Sequence, residues 1–235
     1  MRRVARVHAF PMSQVQPVRL PAEANTVAPP RTGVSRVYMV TKRVIDVIGA
    51  SVALLLLGLP MALVALAIKL ESGGPVFYRQ TRLGENGLPF RFLKFRSMVA
   101  NAESIRADLE AVNEASGPVF KIRRDPRITP VGRWIRKTSL DETPQLFHVL
   151  MGQMSLVGPR PPLPEEVENY EPWQRERLAV RPGLTCIWQI SGRSDIPFER
   201  WVELDIEYVR RRSLLLDLKI LLLTIPAVLS GRGAY

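Results

Sequence analysis

An uncharged apolar run of 22 residues, 47–68, constrains more than any other feature what this chain can fold into. Its length is sufficient for a helix across a bilayer, so we expect a membrane-inserted helix; a buried core helix is the alternative. Gly58 and Pro60 lie near the middle of the run. Because proline has no N–H to donate and its ring pushes aside the carbonyl of Leu56, we predict a kink at this point.

Positive charge flanks the apolar run on both sides. Residues 1–43 carry eight cations against one acid, and residues 71–100 carry five cations against two acids. A helix that spans the membrane should have an excess of positive charge on its cytoplasmic side only. A kinked helix that enters and leaves through the cytoplasmic leaflet explains both flanks, although kinked spanning helices are common. The sequence therefore favours a re-entrant membrane helix over residues 39–70 and leaves a spanning helix open.

The chain as a whole is basic, with 33 Lys and Arg against 22 Asp and Glu in 235 residues and a formal net charge of +11. Such an excess predicts a polyanionic partner, which is nucleic acid, anionic lipid or a phosphorylated substrate. Part of it lies in residues 1–38, which show no regular period and are predicted to form a disordered basic tail.

The histidine and cysteine content narrows the possible chemistry. His8 and His148 are the only histidines, which argues against a multi-histidine metal site and a Ser-His-Asp triad. We expect His148 to be a packing or surface residue, not a base. The single cysteine, Cys186, excludes an internal disulfide, and we expect it to be a small buried side chain. Catalysis must then come from carboxylates, cations or hydroxyls.

Residues 74–98 have the pattern of a β-hairpin. Asn86-Gly87 is a strong turn signal, because both positions tolerate a positive φ. On the second strand Lys94 and Arg96 are two residues apart and project from the same face. A solvated strand face is the common reason for such a pair, and an anion-binding pair is the functional alternative.

The remaining chain gives a coarse pattern of short elements. We predict an exposed charged helix at residues 100–115 and a Pro-stiffened loop around Arg160 at residues 155–164. A short strand between turns is predicted within residues 181–193, and a charged amphipathic helix at residues 198–212. The segment 213–229 is almost wholly apolar but contains two charges, so we expect it to lie in the membrane interface, with core burial as the alternative.

These elements predict an α+β fold that is mainly helical. It combines a membrane re-entrant helix with a small, non-Rossmann domain over residues 71–235, which contains the β-hairpin and interfacial amphipathic helices. No GxGxxG and no Walker loop occurs in the sequence, so the usual nucleotide-binding fingerprints are missing.

Two adjacent carboxylates occur in the stretch KTSLDETPQL, residues 137–146. A helix is predicted from near Ser139 to Gly152, with its core-facing side formed by Leu140, Pro144, Phe147 and Met151. Ser139 with Glu142 matches a capping box, which gives the pair a purely structural interpretation. Acids that can hold Mg²⁺ beside cations that can hold phosphate are, however, the components of phosphoryl transfer. Since adjacent helical residues point about 100° apart, Asp141 and Glu142 cannot have the same role. One could attack a phosphorus atom while the other orients a metal.

Six segments, taken in order, resemble the bacterial sugar transferases, the monotopic polyprenyl-phosphate phosphoglycosyl transferases that begin exopolysaccharide, O-antigen and glycoprotein glycan assembly. The resemblance covers about residues 40–235. The segments are KRVIDVIGA, GPVFYRQTRLGENGLPFRFLKFRSM, DPRITPVGRWIRKTSLDETPQL, MSLVGPRPPLPEE, RPGLTCIWQISGRS and LDLKILLLTIPAVLSGRGAY.

This resemblance implies the transfer of a phospho-sugar from a UDP-sugar to undecaprenyl phosphate with release of UMP and with Mg²⁺ as cofactor. It implies that Asp141 is the nucleophile on the sugar-linked phosphorus and that Glu142 helps Asp141 to bind Mg²⁺. It also favours the re-entrant form of the membrane helix. Four cations match family positions and are implied to neutralise diphosphate or prenyl-phosphate charge: Lys94, Arg96, Arg136 and Arg160.

The expected partners are therefore a UDP-sugar, undecaprenyl phosphate and lipid of the bacterial inner membrane at its cytoplasmic face. No nucleic acid is expected, and a homo-oligomer is possible. The ending SGRGAY resembles members that begin exopolysaccharides with a hexose, so galactose or glucose is the expected sugar. A direct, Mg²⁺-assisted attack by the lipid phosphate is the alternative mechanism. A membrane-tethered basic protein that binds nucleic acid or anionic lipid without catalysis is the alternative function.

Overall fold

A computed structural model of the chain describes residues 34–231 and residue 233, apart from the side chain of Ser194. Most of the predicted basic tail, residues 1–33, lies outside the described residues. Within them the chain is mainly helical with small sheets, as predicted.

The first element is the helix α1, Arg36–Ser72, which begins three residues before the predicted start. Ser35 caps it by accepting a hydrogen bond from the N–H of Tyr38. The helix is assigned without interruption through Pro60 and is about 55 Å long at 1.5 Å per residue. In the described part of the chain it is the one helix long and apolar enough to cross a membrane, and only 11% of its most apolar stretch is buried. The alternative of a buried core helix is therefore wrong.

The predicted β-hairpin is confirmed. Its strands are β1, Phe77–Leu83, and β2, Pro89–Phe95, paired antiparallel. Asn86 and Gly87 turn the chain with φ of +57° and +74°, which is the left-handed backbone that the Asn-Gly signal predicts.

The two faces of the hairpin pack against different parts of the protein. Apolar residues change face along β2, from Phe90 and Phe92 to Leu93 and Phe95. The ladder between β1 and β2 is continuous, so a bulge does not cause this change. Phe92 packs in one apolar cluster, whereas Phe95 on the opposite face packs with Ile68 of α1. Lys94 lies two residues after Phe92 and therefore shares its face.

The helix predicted at residues 100–115 is wrong as a single element. Only α2, Ala102–Ile105, and a 3₁₀ segment, Ala107–Val112, form there. Neither has a buried residue, and a short helix without a packed face is marginal. The next helix, α3, Pro130–Lys137, is capped by Thr129.

The carboxylate pair lies in a 3₁₀ segment, Leu140–Gln145, which leads into α4, Leu146–Met151. The helix stops at Gly152, as predicted. Phe147 and Met151 do not face the core as predicted, because their side chains are 46% and 62% exposed. The 3₁₀ segment has three residues per turn instead of 3.6, so the buried face rotates away from the positions that an α-helical period predicts.

The rest of the chain packs around these elements. The strands β3, Ser155–Val157, and β4, Gly183–Thr185, pair in parallel, which confirms the strand predicted within 181–193 and shows a strand where the predicted loop begins. The helices that follow β3 are α5, Pro164–Glu168, a 3₁₀ segment, Pro172–Ala179, α6, Ile187–Ile190, α7, Phe198–Arg211, and α8, Leu214–Ser230.

The C-terminal helix α8 has one side against the protein and one side exposed. Asp217, which is 5% exposed, accepts hydrogen bonds from Tyr38 at 3.0 Å and Tyr208 at 2.7 Å and pairs with Lys42 of α1 at 3.1 Å. Leucines cover the opposite side of the helix. Core burial therefore describes only one side of the helix, and the other side is apolar and open. The interfacial location stays a prediction.

Candidate active site

A cavity of about 1730 Å³ lies beside the hairpin, the 3₁₀ segment with the carboxylate pair and the loop after β3. The six residues predicted from the sequence all line it: Lys94, Arg96, Arg136, Asp141, Glu142 and Arg160. They come from three separate stretches of the chain, so the fold brings the predicted set to one place.

The predicted capping box is wrong. Ser139 adopts the left-handed conformation, with φ +57°, and its side chain caps nothing. The backbone N–H of Glu142 instead donates to the carbonyl of Ser139 at 3.3 Å. The positive φ turns the chain sharply after α3, and the turn leaves the carboxylate of Glu142 available for other partners.

Glu142 pairs with Arg160. The Nη1 atom of Arg160 lies 3.1 Å from Oε1 of Glu142, and the two side chains are only 27% and 20% exposed. The acid and the Pro-flanked arginine, 18 residues apart in sequence, therefore form one partly buried pair on the cavity wall.

Asp141 is 7% exposed, and no described residue donates a hydrogen bond to its carboxylate. Its pKa is raised to about 6: burial is the main cause, the negative charge of Glu142 adds to it, and three cations offset part of the shift. Those cations are Lys94, Arg136 and Arg160. At neutral pH the group is still mostly ionised, so the site holds a poorly solvated carboxylate beside a second one.

Lys94 has the opposite shift. Its pKa is lowered to about 8, chiefly by burial and next by the positive charge of Arg136. Its Nζ lies 5.4 Å from the centre of the Tyr78 ring, a distance at which a cation interacts with the ring face. Lys94 is mostly protonated at pH 7 and places a positive charge near Asp141.

Arg96 lies at the cavity edge, where α1 ends. Its Nη2 donates to the hydroxyl of Ser72 at 2.7 Å and to the carbonyl of Gly73. Its Nε and Nη1 are buried without a partner among the described residues. A buried guanidinium with unpaired N–H donors is able to bind an anion.

A magnesium ion would need oxygen ligands at this site. In the described part of the chain no group of three or more His, Cys, Asp or Glu side chains could hold a metal ion. Mg²⁺ commonly uses one or two carboxylates and completes its shell with waters and substrate phosphates. The carboxylate of Asp141 accepts no hydrogen bond from the residues that the structure describes and stands beside Glu142, so the pair fits Mg²⁺ of this kind.

Six further cations line the cavity and were missed: Arg82, Arg106, Lys121, Arg123, Arg127 and Arg193. Arg82 is buried, and its Nη1 donates to the carbonyl of Pro161 at 2.8 Å. Burial lowers the pKa of Lys121 to about 7, with the positive charge of Arg160 as the next cause. The alternation of β1 could have indicated Arg82, whereas Lys121 and Arg193 come from stretches without a periodic signal.

The two side chains that were predicted not to react are indeed packing residues. His148 is 5% exposed and stacks on Phe92 with the rings 4° from parallel, and its Nδ1 lies 2.7 Å from the amide oxygen of Gln153. Cys186 is 1% exposed, and burial raises the pKa of its thiol.

Comparison with known proteins gives matches over most of the chain. The family model described as "Bacterial sugar transferase" matches residues 37–231. The galactosyl transferase CpsE of Streptococcus agalactiae is 47% identical over 198 residues, which are 84% of this chain and 44% of that protein. The exopolysaccharide production protein ExoY of Rhizobium meliloti is 41% identical over 227 residues, 95% of this chain and 97% of that protein.

A third relative has a more specific name. The UDP-glucose:undecaprenyl-phosphate glucose-1-phosphate transferase of Escherichia coli is 39% identical over 214 residues, which are 88% of this chain and 43% of that protein. The chain thus spans nearly all of ExoY but less than half the length of CpsE and of the Escherichia coli relative.

Proposed function

The chain belongs to the bacterial sugar transferase family, and from this membership we propose that it is a phosphoglycosyl transferase that moves a sugar 1-phosphate from a UDP-sugar to undecaprenyl phosphate. The reaction releases UMP and is the first membrane step of exopolysaccharide assembly. Relatives named for galactose and for glucose transfer support a hexose as the sugar.

The proposed reaction has two steps with Asp141 as a covalent nucleophile. In the first, an oxygen of its carboxylate forms a bond to the sugar-linked phosphorus, the bond from that phosphorus to the UMP oxygen breaks, and UMP leaves. In the second, an oxygen of undecaprenyl phosphate attacks the same phosphorus and the bond to Asp141 breaks. The products are undecaprenyl diphosphate sugar and the regenerated carboxylate.

The observation that supports this mechanism best is the environment of Asp141. Asp141 is 7% exposed and lines the cavity, and its carboxylate has no protein donor among the described residues. A carboxylate without strong solvation is a better nucleophile than one in water, and a pKa of about 6 still leaves it ionised at pH 7. A carboxylate that is already ionised needs no base to activate it. This agrees with the described cavity wall, which contains no histidine.

The surrounding cations would bind the phosphates. Arg160 and Arg136 carry planar guanidinium groups that suit phosphate oxygens, and Lys94 adds a positive charge close to Asp141. Negative charge on the phosphoryl group during transfer would be stabilised by such fixed cations. Arg96, at the end of α1, is the proposed cation nearest to the membrane helix.

We expect Mg²⁺ to be held by Asp141 and Glu142, where it would neutralise phosphate charge. Glu142→Gln should raise the Mg²⁺ concentration needed for half-maximal activity by about 10- to 100-fold, because one of the two carboxylate ligands loses its charge. Titration of activity with Mg²⁺ measures this shift. The melting temperature should change little, since Glu142 caps no helix. A large loss of stability with unchanged Mg²⁺ dependence would contradict the assignment.

The proposed location is the cytoplasmic face of the inner membrane, with α1 as a re-entrant helix and residues 71–235 as the cytoplasmic catalytic domain. Positive charge on both flanks of the apolar run and the exposed apolar surface of α1 support it. A cysteine introduced into residues 1–33 should stay unlabelled by an impermeant reagent added from the periplasmic side. Labelling from that side would instead indicate a spanning helix.

A panel of UDP-sugars tests the proposed function. Purified protein with undecaprenyl phosphate and Mg²⁺ should release UMP from UDP-galactose or UDP-glucose and show ping-pong kinetics. Without the lipid, a phospho-sugar adduct on Asp141 should accumulate and be detected by mass spectrometry. Sequential kinetics without an adduct would favour direct attack by the lipid phosphate, and no UMP release with any sugar would overturn the function.

A further inference from the structure

The loop that carries Arg160, residues 158–163, has the sequence GPRPPL. Three of its six residues are prolines, which lack a backbone N–H, so the loop cannot form a helix or a regular ladder from its own donors. Buried carbonyls nevertheless need donors. The position of Arg160 must therefore be fixed by groups from outside the loop.

Four consecutive carbonyls of the loop each accept a hydrogen bond from a different place in the fold. Those of Pro159 and Pro162 accept from the backbone N–H groups of Gly183 at 2.9 Å and Leu83 at 3.0 Å. The carbonyls of Arg160 and Pro161 accept from the side chains of Arg177 at 3.1 Å and Arg82 at 2.8 Å.

Arg177 donates to the backbone carbonyl of Arg160, the residue whose guanidinium pairs with Glu142. Arg177 is 1% exposed and absent from the cavity lining, so it does not reach a substrate there. Its Nη1 donates to the hydroxyl of Tyr170 at 2.7 Å, and its Nη2 donates to both Asp205 and the carbonyl of Arg160. Asp205, on α7, is 0% exposed.

A buried ion pair is costly to place in a protein interior, and an apolar pair of the same size often serves stability as well. The pair Arg177–Asp205 therefore calls for a reason besides stability. Its geometry supplies one, because Asp205 orients a guanidinium whose Nη2 also donates to the backbone carbonyl of Arg160.

We propose that Arg177, oriented by Asp205 and Tyr170, is a positioning residue for Arg160 and so for the pair that Arg160 forms with Glu142. This inference rests on the proposed function for the role of Arg160. Arg177 acts only through the loop backbone: it holds the carbonyl of Arg160, which directs the side chain of that residue to the carboxylate pair across the cavity wall.

The test is a double-mutant cycle. Arg177→Lys retains the positive charge beside Asp205, but an ammonium cannot reproduce the fork of donors that reaches three acceptors. A displacement of about 1 Å at an active site can cost about 100-fold in rate, so we expect kcat/KM to fall by about 10- to 100-fold. In an Arg160→Ala background, the same substitution should lower kcat/KM by less than about threefold.

Arg210→Lys is the matched control. Arg210 pairs with Glu176 at 2.6 Å and thereby joins the same two elements, α7 and the 3₁₀ segment Pro172–Ala179, but it is 62% exposed. The substitution Arg210→Lys should leave kcat/KM unchanged, both alone and in the Arg160→Ala background. If Arg177→Lys does not fold, Tyr170→Phe replaces it, with an expected several-fold loss that also disappears in the Arg160→Ala background.

A readout without turnover separates this proposal from the proposed function. In ¹⁵N-arginine-labelled protein, the Nε signal that Arg160→Ala removes should shift or broaden in Arg177→Lys and stay in place in Arg210→Lys. An unmoved signal, or equal losses of kcat/KM with and without Arg160, would overturn the positioning role. Absence of UMP release by the unmodified protein would overturn the proposed function. The Nε signal of Arg160 would then decide the positioning role of Arg177 by itself.

Discussion

Asp141→Asn is expected to reduce UMP release by about a thousandfold or more, because the amide cannot form the covalent bond to phosphorus. The phospho-sugar adduct should be absent as well. The measurements are steady-state UMP release and mass spectrometry of the protein incubated with UDP-sugar alone. The control Asp108→Asn changes an exposed carboxylate of a 3₁₀ segment and should leave both unchanged.

The same substitution should not destabilise the protein, which separates a chemical role from a structural one. Burial raises the pKa of Asp141 to about 6, so the folded state binds a proton more tightly than the unfolded state. Its charged form therefore lowers the free energy of unfolding as pH rises from about 4 to above 6. Asparagine carries no charge, so at pH 7 the free energy of unfolding should be equal or higher, by up to about 3 kcal/mol. A clear decrease in stability, or near-normal turnover, would falsify the nucleophile assignment.

Asp217→Ala is expected to lower the free energy of unfolding by about 3–5 kcal/mol. This carboxylate accepts from Tyr38 and Tyr208 and pairs with Lys42. Its removal leaves the Tyr38 hydroxyl without its acceptor and the partly buried ammonium of Lys42 without its counter-charge. Among the described residues, only the carbonyl of Val157 then accepts from Lys42 and Tyr208. For a chain of this size the melting temperature should fall by roughly 6–20 °C. Thermal unfolding in detergent micelles measures the shift.

Lys219→Ala is the matched control for Asp217→Ala, because Lys219 is the other charge within α8 and is exposed. It should change the melting temperature by less than about 2 °C. Hydrogen exchange of the α8 amides should become faster in Asp217→Ala and not in the control. Equal melting temperatures in both variants would show that α8 is held by its apolar contacts alone.

Several features could be predicted from local sequence because their causes are local. The 22-residue uncharged run forms a helix, Asn86-Gly87 forms a turn with two positive φ values, and Gly152 ends α4 in the left-handed conformation. In each case a few neighbouring residues determine the backbone conformation. The six candidate site residues could also be named, because motifs of the family carry them.

Predictions based on a helical period failed within a stretch that is not α-helical and in the short helix α4 that follows it. The capping box at Ser139 and the core-facing positions Phe147 and Met151 assumed an α-helix from residue 139 onward. A 3₁₀ segment with a left-handed residue before it formed instead. Its conformation depends on packing of this segment against β2, which the local sequence does not encode.

The sequence by itself determined the types of group at the site: two adjacent carboxylates, several cations and a segment long and apolar enough for a membrane. Tertiary structure alone decided their environment. It buried Asp141, paired Glu142 with Arg160, and placed Arg177 behind the loop that carries Arg160. The physical reason is that desolvation, ion pairing and hydrogen bonds to proline-rich backbone depend on distances between residues far apart in sequence, and only the folded chain sets those distances.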